Sequence, residues 1–93
     1  MAQVCLLGEP ESDLRYELLS RETAREALST YALRDPYGNS LALDTVSIGA
    51  AVSLLNDLNW YLARFVRASL VQSDSVSETE WLSRDLATAI RDG

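Results

Sequence analysis

Histidine and lysine are both absent from the chain, and cysteine occurs only once. Histidine is the commonest general acid–base group and metal ligand, so its absence removes the simplest routes to catalysis and metal binding. Cys5 lies in an apolar run and has no second cysteine for a disulfide or a thiolate zinc site, so we expect a buried structural thiol. The four glycines are isolated, which excludes a glycine-rich phosphate loop. We therefore predict a non-catalytic protein without a metal or a cofactor.

Long hydrophobic runs are missing as well. The longest stretch without a charged residue runs from Thr45 to Asn56, and a helix that spans a bilayer needs about 20 mostly apolar residues. The first residues of the chain include no basic segment, so we expect no signal peptide. Together with the single cysteine, these features predict a cytoplasmic location.

The charge balance is acidic, with 14 acidic and 8 basic residues and a formal net charge of −6. Affinity for nucleic acids and for anionic membranes comes mainly from clustered basic side chains. The basic residues, all arginines, are dispersed, and the nearest approach to a cluster is Arg64 with Arg67. We therefore predict neither a nucleic acid nor a membrane as partner.

The first third of the chain predicts a buried strand, followed by a second strand and a short helix. Residues 3–7 are short, apolar and followed by turn residues, which predicts a buried strand. Residues 14–18 alternate between apolar and polar, which favours a strand, and a short helix is predicted over 21–29. One continuous helix over 12–34 is the alternative.

A turn signal follows at Asp35-Pro36-Tyr37-Gly38. Aspartate, proline and glycine at these positions are typical of a type I turn. After the turn, Leu41 and Leu43 alternate with small or polar residues, as in a half-buried strand. We predict a β-hairpin over 31–43.

Two helices complete the prediction, a long one over about 45–71 and a C-terminal one over about 78–91. The apolar residues of the long helix cover about twice the 100° arc of an ordinary surface helix. A capping box at Ser77–Glu80 predicts the start of the last helix. The fold class is α+β in a single small domain over 1–93, with an all-α helical bundle as the alternative.

The candidate site lies on the polar side of the long helix. Trp60 points there, and Arg64 follows one turn later, where its guanidinium can lie over the indole. Exposed tryptophan and arginine are enriched in binding hot spots. Asn59 falls inside the apolar arc, where one polar residue can set the register of a helix pair. The predicted protein-interface residues are Trp60, Arg64, Arg67, Asn56 and Asn59.

We interpret the chain as a small protein-interaction or regulatory module that forms a homodimer through its long helix. A core of this size supplies little stability, and association would add to it. The first alternative is an acidic chaperone or inhibitor that binds a basic protein. A regulator that binds nucleic acid is the second, and the net charge disfavours it.

Overall fold

The computed structural model describes residues 1–74, 76 and 79–93. A four-stranded antiparallel sheet, in the strand order β2-β1-β3-β4, packs against helices. In chain order the elements are β1 (Ala2–Gly8), α1 (Leu14–Leu19), α2 (Glu22–Leu28), β2 (Ser40–Thr45), α3 (Ile48–Asp57), α4 (Asn59–Phe65), β3 (Val66–Ser73), β4 (Leu82–Ser83) and α5 (Arg84–Asp92). The predicted α+β class is confirmed, and the all-α alternative is wrong. Within these described residues, no helix has the length and apolar character to cross a membrane.

β1 is a central strand of the sheet, and the strand predicted at 3–7 is part of it. It pairs antiparallel with β2 on one side and β3 on the other, so that Val4 lies opposite both Leu43 and Val71. Side chains alternate between the faces of a strand, and Val4 and Leu6 belong to the core that the helices cover. A strand between two neighbours buries most of its surface, which its apolar sequence permits.

Residues 14–18, predicted as a strand, form a helix instead. Asp13 begins α1 by accepting a hydrogen bond from the backbone N–H of Tyr16, with an Oδ1–N distance of 3.2 Å. Leu14 and Leu18 are one helical turn apart, and both are buried. The helix buries leucines four residues apart, and the alternation of apolar and polar residues over 14–18 did not indicate a strand.

The single helix considered over 12–34 is also wrong, because the chain turns between α1 and α2. Arg21 has an extended backbone there and separates the two helices. α2 corresponds to the helix predicted at 21–29 and buries Ala24 and Leu28. Two short helices therefore stand where one long helix was the alternative.

The hairpin predicted over 31–43 is reduced to one pair of residues. Arg34 and Ala42 exchange two backbone hydrogen bonds, of 2.9 and 2.7 Å. The turn between them contains Gly38 with a φ of 73°, a conformation that glycine adopts without steric cost. β2 pairs over its whole length with β1 instead, because β1 offers Leu41 and its neighbours an apolar strand to pack beside.

The single long helix over 45–71 is wrong, since this segment forms α3, α4 and β3. Leu58 separates the two helices with a φ of −94° and a ψ of 5°. After α4, the carbonyl of Phe65 accepts a hydrogen bond of 2.9 Å from the N–H of Glu9, and Val66 is extended. The end of the segment thereby pairs with β1, an interaction between distant parts of the chain that local periodicity does not report.

The wide apolar arc of this segment is used by the chain's own core. Partly buried side chains, including Ile48, Phe65 and Val66, pack against that core. A dimer through one long helix therefore has no structural basis. The buried residues that the arc contributes are Ala51, Val52, Leu54, Leu55, Leu58 and Leu62.

The C-terminal helix is shorter than the predicted 78–91. It begins at Arg84, and the hydroxyl of Ser83 caps it by accepting a hydrogen bond from a backbone N–H of the first turn. Residues 79–82 are not helical. The predicted start at 78 and the predicted cap Ser77 lie outside the described residues.

Candidate protein-interaction site

Trp60 lies on the outer side of α4 and is 48% exposed. Leu62, two residues later, and Leu58, two residues earlier, are both buried. Side chains two positions apart on a helix point in nearly opposite directions. Burial of both leucines therefore turns the indole toward solvent, which is the orientation that the sequence pattern predicts.

Two aromatic rings fix the position of this indole. The ring of Tyr61 lies 5.1 Å from that of Trp60, and the ring of Phe65 lies 6.3 Å away. Both pairs are nearly perpendicular, the edge-to-face geometry that aromatic quadrupoles favour. An exposed tryptophan held in this way loses little further freedom when a partner covers it.

Two guanidinium groups lie over the same rings. The Cζ atom of Arg64 is 4.3 Å from the centroid of the Trp60 ring, and that of Arg21 is 5.5 Å away. Arg21 is also 5.3 Å from the Phe65 ring. Each cation–π contact of this kind stabilises an exposed site by about 0.5–1 kcal/mol. We call Trp60, Tyr61, Phe65, Arg21 and Arg64 the Trp60 cluster.

Sequence reasoning missed Arg21, because it reaches the cluster from a different part of the chain. It sits at the turn between α1 and α2, where its Nη2 atom lies 3.2 Å from Oε2 of Glu17. No local pattern relates Arg21 to Trp60. Only the packing of α1 against α4 brings them together.

The predicted interface residues Asn56 and Asn59 have an internal role. Arg84 donates from Nη2 to Oδ1 of Asn56 at 2.9 Å and from Nη1 to Oδ1 of Asn59 at 2.8 Å. These bonds join α3 and α4 to the first turn of α5. Asn59 is exposed and not part of an apolar face, because the predicted arc assumed a continuous helix through Leu58.

The last predicted residue, Arg67, is exposed but lies outside the Trp60 cluster. It occupies β3 at the register shift opposite Leu7 and Gly8 of β1, where a β-bulge interrupts the pairing. There it lines a surface cleft together with Tyr37 and Asn39. The structure thus brings together Trp60 and Arg64 of the five predicted residues.

The polar groups of the Asp35 turn serve the fold. Oδ1 of Asp35 accepts hydrogen bonds from the hydroxyl and the backbone N–H of Ser40, at 2.7 and 3.1 Å. The hydroxyl bond is the main cause of the lowered pKa of the Asp35 carboxyl, which backbone N–H groups lower further. Burial raises the pKa of the Cys5 thiol, which disfavours the reactive thiolate. Throughout the described ranges, no three His, Cys, Asp or Glu residues are grouped so that they could hold a metal ion.

Comparison with known proteins identifies a family. The model of a family described as a family of unknown function (DUF5804) matches residues 2–93. No curated protein and no solved structure matches the chain.

Proposed function

Because the chain belongs to DUF5804, a family of unknown function, we propose a function from its own geometry: a non-catalytic protein-interaction module. Its partner binds at the Trp60 cluster. The observation that carries the proposal is a half-exposed tryptophan, braced by two rings and overlain by two guanidinium groups. Tryptophan and arginine are the residue types most enriched at the energetic centres of interfaces.

The composition of the chain supports the non-catalytic part of the proposal. The sequence has no histidine, and its single cysteine is buried with a raised pKa. Two carboxylates serve the fold, since Asp13 caps α1 and Asp35 accepts a hydrogen bond from Ser40. The Ser40 hydroxyl lies beside a carboxylate, but the residue is buried, so the hydroxyl is not accessible to a substrate.

The proposal includes self-association, which the small size of the chain favours. A domain of 93 residues hides a smaller share of its surface than a larger one does, so a second copy would add stability. The dimer interface cannot be one continuous helix over 45–71, because that segment forms α3, α4 and β3. Sedimentation velocity on the purified chain at tens of micromolar tests this part, with a dimer expected, and a single monomeric species removes it.

The experiment that tests the proposed site is quantitative affinity capture from extract of the native cell with three baits: wild type, Trp60→Ala and Trp81→Ala. Trp81 is the matched control because it is also exposed, at 38%. It lines a cleft with Gln3, Cys5 and Asp44, which alternate with the core-facing residues of their strands and so face the opposite side of the sheet.

We expect a defined partner that wild type and Trp81→Ala retain equally and that Trp60→Ala loses by tenfold or more. Circular dichroism and denaturation curves show that each bait is folded. Equal retention by all three baits would show that the Trp60 cluster is not the binding surface. Loss with Trp81→Ala alone would move the site to the other face of the sheet.

A further inference from the structure

The Trp60 cluster is a cationic site on an acidic molecule. The net charge of the chain is −6, yet two of its eight basic residues lie over one indole ring. Arg21 is paired with Glu17. Arg64 forms no ion pair and no side-chain hydrogen bond with any of the residues that the structure describes. The five N–H donors of its guanidinium therefore face solvent.

The position of Arg64 prepares those donors for a carboxylate. A guanidinium over an aromatic ring uses its face for the ring and keeps its in-plane N–H groups for an anion. The fork of these donors matches a carboxylate in a bidentate pair. Because the contact with Trp60 already restricts the side chain, binding costs less conformational entropy than it would for a free arginine.

The exposed part of the indole adds an apolar surface beside the cation. Trp60 is half-exposed, and Arg21 borders it together with Phe65. An apolar or aromatic side chain next to a carboxylate can therefore cover the indole while the carboxylate binds Arg64. Both contacts fit within neighbouring residues of one peptide segment.

We infer that the Trp60 cluster binds an acidic peptide segment of a partner protein, with a carboxylate side chain on Arg64 and an adjacent apolar side chain on Trp60. The inference rests on the proposed function and adds the chemistry of the partner. A nucleic-acid duplex fits this surface less well, since its affinity depends on several basic side chains along a continuous row of phosphates, and one of the two guanidinium groups of the cluster is already paired with Glu17.

The test uses the full chain with Trp81→Phe, so that tryptophan fluorescence reports Trp60 alone. The probes are a short capped peptide of glutamates around one tyrosine, the same peptide with glutamine in place of glutamate, and a DNA duplex. Arg64→Gln removes the proposed ligand-binding charge. Arg34→Gln is the control with the same change in net charge, because Arg34 pairs with Asp44 on the opposite face of the sheet.

We expect the glutamate peptide to bind with saturation and at least tenfold more tightly than the glutamine peptide. Arg64→Gln lowers the affinity for the glutamate peptide at least tenfold, because the bidentate pair with the carboxylate is lost, and Arg34→Gln changes it less than twofold.

Three outcomes would overturn the inference. Equal binding of the two peptides, reported by Trp60 fluorescence, would leave the proposed site intact but refute the role of the carboxylate. Tighter binding of the duplex would assign the surface to phosphates. Absence of saturable binding by either peptide would refute acidic peptides as its ligands, while the capture experiment with Trp60→Ala decides separately whether the surface binds a protein.

Discussion

Asn39 joins three parts of the chain through one side chain. Its Oδ1 atom accepts a hydrogen bond from the N–H of Leu14 and its Nδ2 atom donates to the carbonyl of Glu9, both at 2.8 Å. Its backbone carbonyl accepts from the N–H of Gly8, also at 2.8 Å. A Cβ on Gly8 would lie 2.8 Å from that same carbonyl oxygen, so only glycine fits beside it. Asn39 itself has a φ of 49°, which asparagine tolerates better than most residues.

Substitution of Asn39 separates the two roles of this residue. Asn39→Gly keeps the left-handed backbone and loses both side-chain bonds, which we expect to lower the free energy of unfolding by about 1–3 kcal/mol. Asn39→Ala loses the same bonds and adds about 1 kcal/mol of backbone strain. Denaturation with urea measures both. If the alanine variant were as stable as the glycine variant, the positive φ would carry no cost.

Asp35 makes a pH-dependent contribution to stability. Its pKa is lowered in the folded chain, chiefly by the bond from the hydroxyl of Ser40, so the charged form stabilises the fold. A lowered carboxyl pKa gives stability that is present above the unfolded value and is lost as the pH falls through the folded value.

We therefore expect wild type to exceed Asp35→Asn in stability by a constant amount near neutral pH. The difference should shrink as the pH falls below the ordinary range of a carboxyl group. Denaturation midpoints measured from neutral to strongly acidic pH test this. A difference that stays constant across that range would show that the charge of Asp35 does not contribute.

At the scale of elements, the segment after α4 changes from helix to strand, and the pairing of the sheet fixes the direction of its backbone hydrogen bonds. The exchange of both backbone bonds between Ala42 and Arg34 shows that Ala42 faces the outer edge of β2. Leu43, its neighbour, therefore faces β1 and bonds with Val4. Since successive residues of a strand bond to opposite sides, Cys5 must face β3.

The same alternation fixes the bonds of β3. Cys5 lies opposite Leu70, so the N–H groups of Ala68, Leu70 and Gln72 point to β1. That of Ser69 points away, beyond the short pairing with β4 at Leu70–Val71.

Amide hydrogen exchange followed by NMR distinguishes this strand from the helix that periodicity predicts. We expect slow exchange at Ala68, Leu70 and Gln72 and exchange at least tenfold faster at Ser69. A helix would protect all of these consecutive amides, because each would bond four residues back. Uniform protection from 66 to 71 would contradict the observed strand.

Over the whole molecule, repulsion among acidic groups opposes folding. The sequence has 14 acidic and 8 basic residues. The ion pairs seen among the described residues have at least one solvent-accessible partner, as in Arg34 with Asp44 and Arg21 with Glu17. Exposed pairs of this type contribute about 0–1 kcal/mol each, so they do not offset the excess of negative charge.

We expect the unfolding temperature to rise by several degrees when sodium chloride is added from low to about physiological ionic strength, where the Debye length is about 8 Å. Screening then weakens the repulsion that destabilises the compact chain. Differential scanning calorimetry at fixed pH measures the effect. A falling unfolding temperature would show that the surface pairs outweigh the net charge.

The amino-acid sequence alone determined the features that depend on near neighbours. The apolar run at 3–7 specified a buried strand, the residues around Gly38 specified a turn, and the spacing of Trp60 and Arg64 placed a guanidinium over an indole. Each of these follows from interactions within about one helical turn or one short strand.

The tertiary structure decided whatever depends on distant partners. Residues 66–71 continue a helical pattern, but hydrogen bonds and apolar contacts with β1 stabilise them as a strand. Arg21 joins the Trp60 cluster only because α1 packs against α4. Side-chain periodicity records which faces are apolar, whereas the choice between helix and strand is settled by the free energy of pairing with a segment far away in the sequence.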